Sequence, residues 1–156
     1  MPPIVDTRTA LDRLLSNMHK LDAPLMDRFG LAYPTVEHAY QAAKTLNPKE
    51  RETILKLLGS SDQWYGLPAK AAGRRVTLDP SWDKRKVEVM RQLLGKKFEQ
   101  PRFAEALRST GTTPIVEVDP KGNDLFWAQS PTGRGRNELG KMLEAIRTLL
   151  LGGEVA

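Results

Sequence analysis

The sequence predicts an α+β fold, helix-rich with a small β component, forming one compact domain over residues 1–156. Three observations carry this. Apolar residues recur at helical spacing in most segments, most clearly Val87, Met90, Leu94 and Phe98. Only "PIVEV" (114–118) and a stretch near Gly30–Tyr33 read as strands. The 156 residues show no internal repeat, low-complexity tract or linker, and with 40% hydrophobic and 28% charged residues they can bury a sizeable core.

The elements follow in order. Residues 7–16 can form a first helix with Leu11, Leu14 and Leu15 on one side, and residues 18–33 are irregular up to the strand near Tyr33. Thr35 caps a helix rich in alanine that runs to Asn47-Pro48, where proline disfavours the α conformation in the residue before it. Pro48 opens the next helix, to about Leu58. Residues 59–75 are a loop with a turn or two of helix around Pro68–Gly73. Helices follow at 83–99 and from Pro101 to near Gly111. "DPKGN" (119–123) is a turn and "FWAQSPTGRGR" (126–136) a loop. A last helix from Asn137 to about Leu151 turns Leu139, Met142, Leu143, Ile146 and Leu150 inward, with Gly152 as its stop.

The chain has no cysteine, which excludes disulfides, cysteine nucleophiles and thiolate metal sites and suits a cytoplasmic setting. No apolar run approaches the roughly 20 residues of a membrane span, and the N-terminus lacks a signal-peptide layout, so no membrane partner is expected. A net charge of +5 favours an anionic partner such as nucleic acid, nucleotide or phosphorylated metabolite.

Residues 135–142, "GRNELGKM", nearly match a phosphate-cradling loop, but methionine replaces the magnesium-binding hydroxyl and no apolar strand leads in, so a nucleoside triphosphatase is rejected. A simpler anion site remains: Gly133 and Gly135 precede a helix N-terminus capped by Asn137, with Arg134 and Arg136 alongside. The alternative is a capped turn with solvated arginines. The histidines are His19 and His38 alone, without helical pairing, so no metal is expected and His38 reads as a structural hydrogen-bonder. Trp82 reads as buried, whereas Trp127, beside the Gly/Arg loop, can stack on a base or ribose. Arg74-Arg75 and Lys96-Lys97 are either phosphate contacts or solvated faces.

In "PTVEHAYQAAK" (34–44), Glu37, Gln41 and Lys44 share one stripe at about 100° per residue, opposite Ala39, Ala42, Ala43 and Leu46. Two accounts stand. The stripe is the wet side of a surface helix, or it lines a cleft, the alanines letting the helix pack closely. In the second, the carboxylate stabilises an oxocarbenium-like centre or orients water, and the amine serves as a covalent nucleophile if partial burial lowers its pKa.

The order of segments then matters: "LSN" (15–17), "YPTVEHAYQAAK" (33–44), "AKAAGR" (69–74), "WDKRKVEVMRQLLGKKFEQ" (82–100), "STG" (109–111), "IVEVDPKGNDLFW" (115–127) and "GRGRNELGKMLEAIR" (133–147). Together they resemble the NADAR family, or YbiA-like N-glycosidases, over nearly the whole chain. The resemblance implies a YbiA-like helix-rich α+β fold and cleavage of N-glycosidic bonds without metal or cofactor. Some members hydrolyse early riboflavin-pathway intermediates and others remove ADP-ribose from guanine in nucleic acid. It places Glu37 and Lys44 as the acidic and basic catalytic residues, and Asn17, Gln41, Asp124, Trp127 and Asn137 at recurrent polar or aromatic positions. Two departures stand out: Met18 follows Asn17 where the family often has phenylalanine, and Ala128-Gln129-Ser130 follow Trp127 where it often has Gly-x-Gly.

The expectation is a metal-independent N-glycoside hydrolase, its favoured substrate an ADP-ribosylated guanine base or nucleic acid, with Arg134 and Arg136 added as phosphate contacts. The rivals are the same chemistry on a ribosylamino-pyrimidine and a non-catalytic module that binds ADP-ribose or NAD.

Overall fold

The computed structural model describes residues 3–153. The chain divides into two compact units, Met1–Ser16 with Pro101–Ala156 and, between them in sequence, Asn17–Gln100. The fold class is the α+β expected: six α-helices and short strands in two two-stranded sheets among the described residues.

The inserted unit is built around α1 (Val36–Ala43). Thr35 starts it from an extended backbone, its Oγ1 accepting the His38 amide at 2.9 Å. The helix packs on α2 (Pro48–Leu55), α3 (Leu67–Ala72) and α4 (Trp82–Lys97). A hairpin of β2 (Leu25–Met26) and β3 (Ala32–Tyr33) precedes it, with Gly30 at φ +79° in its turn; only β3 was legible beforehand. Val36, Ala42, Ile54, Ala69 and Leu94 are fully or almost fully buried here. Small side chains on α1 are what let three helices close on it.

α1 stops earlier than expected, at Ala43 rather than Asn47. Asn47 is committed instead to capping α2, its Oδ1 accepting the Lys49 and Glu50 amides at 2.9 and 3.4 Å, and Thr45 is drawn to the Glu50 carboxylate at 2.7 Å. Lys44 keeps helical dihedrals (φ −65°, ψ −21°), so it still continues the stripe begun by Glu37.

In the other unit, β1 (Val5–Asp6) runs parallel to β4 (Ile115–Val116), and α5 (Pro101–Ser109) and α6 (Glu138–Leu150) pack with them. The helix expected over residues 7–16 is absent. A single turn at Ala10–Arg13 stands there, with Leu11, Asp12 and Arg13 at φ between +53° and +66°. The local bonds explain this: Thr7 is held at the end of β1 by Glu117, and the Arg8 amide and guanidinium both turn back to Asp6. Of the three leucines proposed for one helical face, only Leu15 is buried.

Asn137 corrects a second expectation. It precedes α6 in the left-handed region (φ +51°, ψ +43°), and its side chain makes no cap bond. Its amide nitrogen instead donates to the Ile115 carbonyl and its oxygen accepts from the Glu117 amide, both at 2.9 Å, so it clamps the β4 backbone to α6. Gly140 makes the room, since a Cβ there would stand 2.2 Å from the Ile115 carbonyl and 2.4 Å from the Asn137 amide. Asn137→Ala strands one buried donor and one acceptor, so a loss of roughly 2–3 kcal/mol is expected, or about 5–10 °C in melting temperature. An unchanged melting curve with reduced activity would instead make Asn137 a substrate contact without a structural task.

Candidate active site

The stripe on α1 is not a wet face. Glu37 and Gln41 are 7% and 5% exposed, and the Gln41 amide nitrogen donates to a Glu37 carboxylate oxygen at 2.6 Å. That burial removes the wet-face account for these two residues. The Asn17 carbonyl accepts the Glu37 amide at 3.1 Å, and the Asn17 side chain, 8% exposed, lies with its nitrogen 3.5 Å from the Met90 sulfur. Two polar atoms here have no hydrogen-bond partner: Asn17 Oδ1 and Gln41 Oε1. Buried acceptors are rarely left unpaired without a reason: Gln41 Oε1 is packed toward Gly73, where a Cβ would stand 1.9 Å from it, while Asn17 Oδ1 is left for a donor. Lys44, half-buried at the C-terminal end of α1, extends its ammonium 5.7 Å from the Tyr40 ring centre; that ring meets the Trp82 indole edge-on at 5.1 Å. Trp82 is 6% exposed, buried as its sequence context predicts.

His38 lies inside the same unit with no access to solvent. Its Nδ1 meets the Thr35 hydroxyl at 2.7 Å and its Nε2 the Leu57 carbonyl at 2.6 Å. A carbonyl can only accept, so Nε2 carries the proton, and burial pushes the imidazole pKa below its usual value. It is a neutral structural residue, as its isolation in the sequence suggested. On the opposite face of α1, Ala39, Ala43 and Leu46 line a groove of about 510 Å³ that also holds Asp27, Arg51 and Arg85 and none of the stripe residues.

The remaining candidates belong to the other unit. Asp124 Oδ1 accepts the Phe126 and Trp127 amides at 3.1 and 2.9 Å, so its carboxylate shapes the turn that presents Trp127. Trp127 is half-buried, edge-on to Phe126 at 4.8 Å, and Arg136 lies 4.8 Å over the Phe126 ring while pairing with Glu138 at 3.0 Å. Arg134 is exposed.

The expected free N–H groups at the start of α6 are not free. The amides of Arg136, Asn137, Glu138 and Leu139 donate to the carbonyls of Leu125, Ala128, Phe126 and Trp127 at 2.8–3.2 Å. Gly135, at φ +123° with a Cβ position only 2.5 Å from the Ala128 carbonyl, allows this crossing of backbone. A backbone anion cradle is thus excluded at these four amides. Lys97, paired in sequence with Lys96 as a phosphate contact, is fully buried and cannot serve as one; Lys96 is exposed.

The NADAR domain family model matches residues 7–151, across both units. The chain is a member of the NADAR family. It is 35% identical to N-glycosidase YbiA of Shigella boydii over 123 residues and to that of Escherichia coli K12 over 125, spanning 78% of this chain and 72% of each relative. It is 36% identical over 120 residues to N-glycosidase Npun_R5314 of Nostoc punctiforme, covering 74% of this chain and 72% of that one. The riboflavin biosynthesis protein PYRR of Zea mays is 31% identical over 141 residues, 86% of this chain but 22% of that protein. The NMR structure of E. coli YbiA superposes with a TM-score of 0.70 at 31% identity, over 97% of this chain and 87% of that one. This NADAR protein is accordingly an enzyme of the N-glycosidase class.

Proposed function

We propose that the enzyme removes ADP-ribose from guanine in nucleic acid, with Glu37 and Lys44 acting at the ribose C1. The observation that carries the reading is the buried stripe: a carboxylate at 7% exposure, oriented by the Gln41 amide at 2.6 Å, with a lysine two turns along the same face of α1. As the C1–N bond to guanine breaks, positive charge grows on C1 and the ring oxygen, and a desolvated carboxylate stabilises it far better than water would. The neutral Lys44 amine bonds to C1 as the guanine nitrogen leaves with the bonding pair and takes up a proton. Opening of the sugar gives an imine on Lys44, which water hydrolyses to free ADP-ribose and the original amine.

Charge supports a polyanionic substrate. The unit holding the stripe carries 15 basic and 10 acidic residues, so the whole net +5 lies there, and the other unit carries nine of each. Arg74 and Arg75 are exposed immediately after Gly73, the residue against the Gln41 amide. The reading sets the enzyme in the cytoplasm, where cysteine-free composition is unexceptional.

A second reading has its own observation: two relatives, from Zea mays and Vibrio vulnificus, are named riboflavin biosynthesis proteins, the second 33% identical over 119 residues. On that reading the same residues cleave a ribosylamino-pyrimidine. Incubation with an ADP-ribosylated oligonucleotide and, separately, with the phosphoribosylamino-pyrimidine distinguishes them. Release of free ADP-ribose with an unmodified strand supports the first; release of ribose 5-phosphate alone supports the second.

Arg134 and Arg136 retain a candidate role through their side chains. Arg134→Ala with Arg136→Ala is expected to raise KM several-fold with a smaller effect on kcat, and on an oligonucleotide substrate to flatten the salt dependence of binding. Arg136 is already shared with Glu138 and Phe126, so Arg134→Ala alone is expected to give most of the effect. A double variant whose KM matches that of the wild type at both low and high salt would leave the loop with no part in binding.

A further inference from the structure

We propose that Gly73 is a positioning residue for the N-glycosidase reaction: its missing side chain lets α3 close on Gln41 and hold that amide against Glu37. Gly73 has ordinary right-handed dihedrals (φ −59°, ψ −18°) at the C-terminal end of α3. Nothing in its backbone calls for glycine, and helix propensity favours alanine at such a place. What calls for it is space. A Cβ on Gly73 would stand 1.9 Å from Gln41 Oε1, 2.6 Å from its Cδ and 3.0 Å from its Cγ. All three belong to a side chain that is 5% exposed, so giving way to the methyl means leaving Glu37.

The contact decides which way the amide faces. Gln41 Nε2 donates to Glu37 at 2.6 Å, while Oε1, with no hydrogen-bond partner, faces the space that a Gly73 Cβ would fill. The flipped amide would set its oxygen against the carboxylate. At the other end of α3, Gly66 does the same for the carboxylate's own stem, since a Cβ there would lie 2.9 Å from Glu37 Cβ and 3.0 Å from Thr35 Oγ1. Its amide is fixed by the Met18 carbonyl at 2.9 Å. The helix between these glycines is a wall against which Glu37 and Gln41 are set, and Gly73 acts through Gln41 alone.

The assignment rests on Glu37 acting at the reacting carbon, and the test separates the two. Gly73→Ala is expected to lower kcat roughly 10²-fold, the scale of an ångström-sized misplacement at a reacting centre, with KM changed little. Gln41→Ala removes the atoms that the new methyl would strike, so Gly73→Ala added to Gln41→Ala is expected to cost nothing further in kcat. Equal losses from Gly73→Ala in both backgrounds, or full kcat in the single variant, would overturn the proposal. Where the single variant is too unstable to assay, the double variant is expected to recover its melting temperature, and failure to recover it counts against the proposal equally. If Glu37→Gln turns over normally, the catalytic reading falls whatever the glycine does.

Discussion

Glu37→Gln is expected to lower kcat by about 10²–10³-fold while the protein melts as before. The substitution keeps the shape of a side chain that is 7% exposed and keeps an oxygen to accept from Gln41 Nε2, now at 2.6 Å from the carboxylate. It removes only the charge. A preorganised group facing developing charge in a dry site contributes roughly 3–4 kcal/mol to the transition state, and that contribution is lost whole. KM is expected to move little, because the neutral ground state gains little from the carboxylate. Steady-state kinetics beside a thermal melt measure both quantities. An unchanged kcat on an unchanged melting curve would remove Glu37 from the chemistry.

The second large effect concerns Lys44. Borohydride added during turnover is expected to reduce the imine and leave a ribose-containing mass increment on the peptide that holds Lys44, while Lys44→Ala yields no adduct and loses most of its turnover. The lysine continues the helical stripe at φ −65°, ψ −21°, half-buried, with its side-chain nitrogen over the Tyr40 ring. A carboxylate in close contact would favour the charged amine, so the reactive state keeps Glu37 turned to Gln41 and the sugar. Undiminished turnover of Lys44→Ala would leave direct attack by water as the route.

Much of this was legible in the residues, for reasons that differ by element. The cap at Thr35, proline at the head of α2, and the 82–97 helix follow from local chemistry, and each stands within a residue or two of expectation. The stripe of Glu37, Gln41 and Lys44 follows from helical geometry, but its burial does not. Whether a polar stripe is wet depends on α3, whose two glycines look like ordinary loop residues until the neighbours they touch are known. The failures share a cause. Residues 7–16 carry leucines at helical spacing, yet the bonds of Thr7 to Glu117 and of β1 to β4 join positions some 110 apart, and no window of sequence contains both. Asn137 has the composition of a helix cap, but the β4 backbone claims both ends of its amide. The amides of the Gly/Arg loop were counted as available because the carbonyls that take them, residues 125–128, lie about ten positions earlier.

The proposed breaking of the bond between ribose C1 and guanine nitrogen by Glu37 and Lys44 together can be followed in a single-turnover reaction of the wild-type enzyme with an oligonucleotide bearing one ADP-ribosylated guanine, quenched with borohydride at intervals. The account predicts free ADP-ribose and an unmodified strand in the unquenched control, and in the quenched samples an ADP-ribose adduct on Lys44 that rises and then falls. Intact substrate beside an enzyme that cleaves the ribosylamino-pyrimidine would contradict the proposed substrate, and free ADP-ribose formed at full rate by Glu37→Gln and Lys44→Ala would contradict the site.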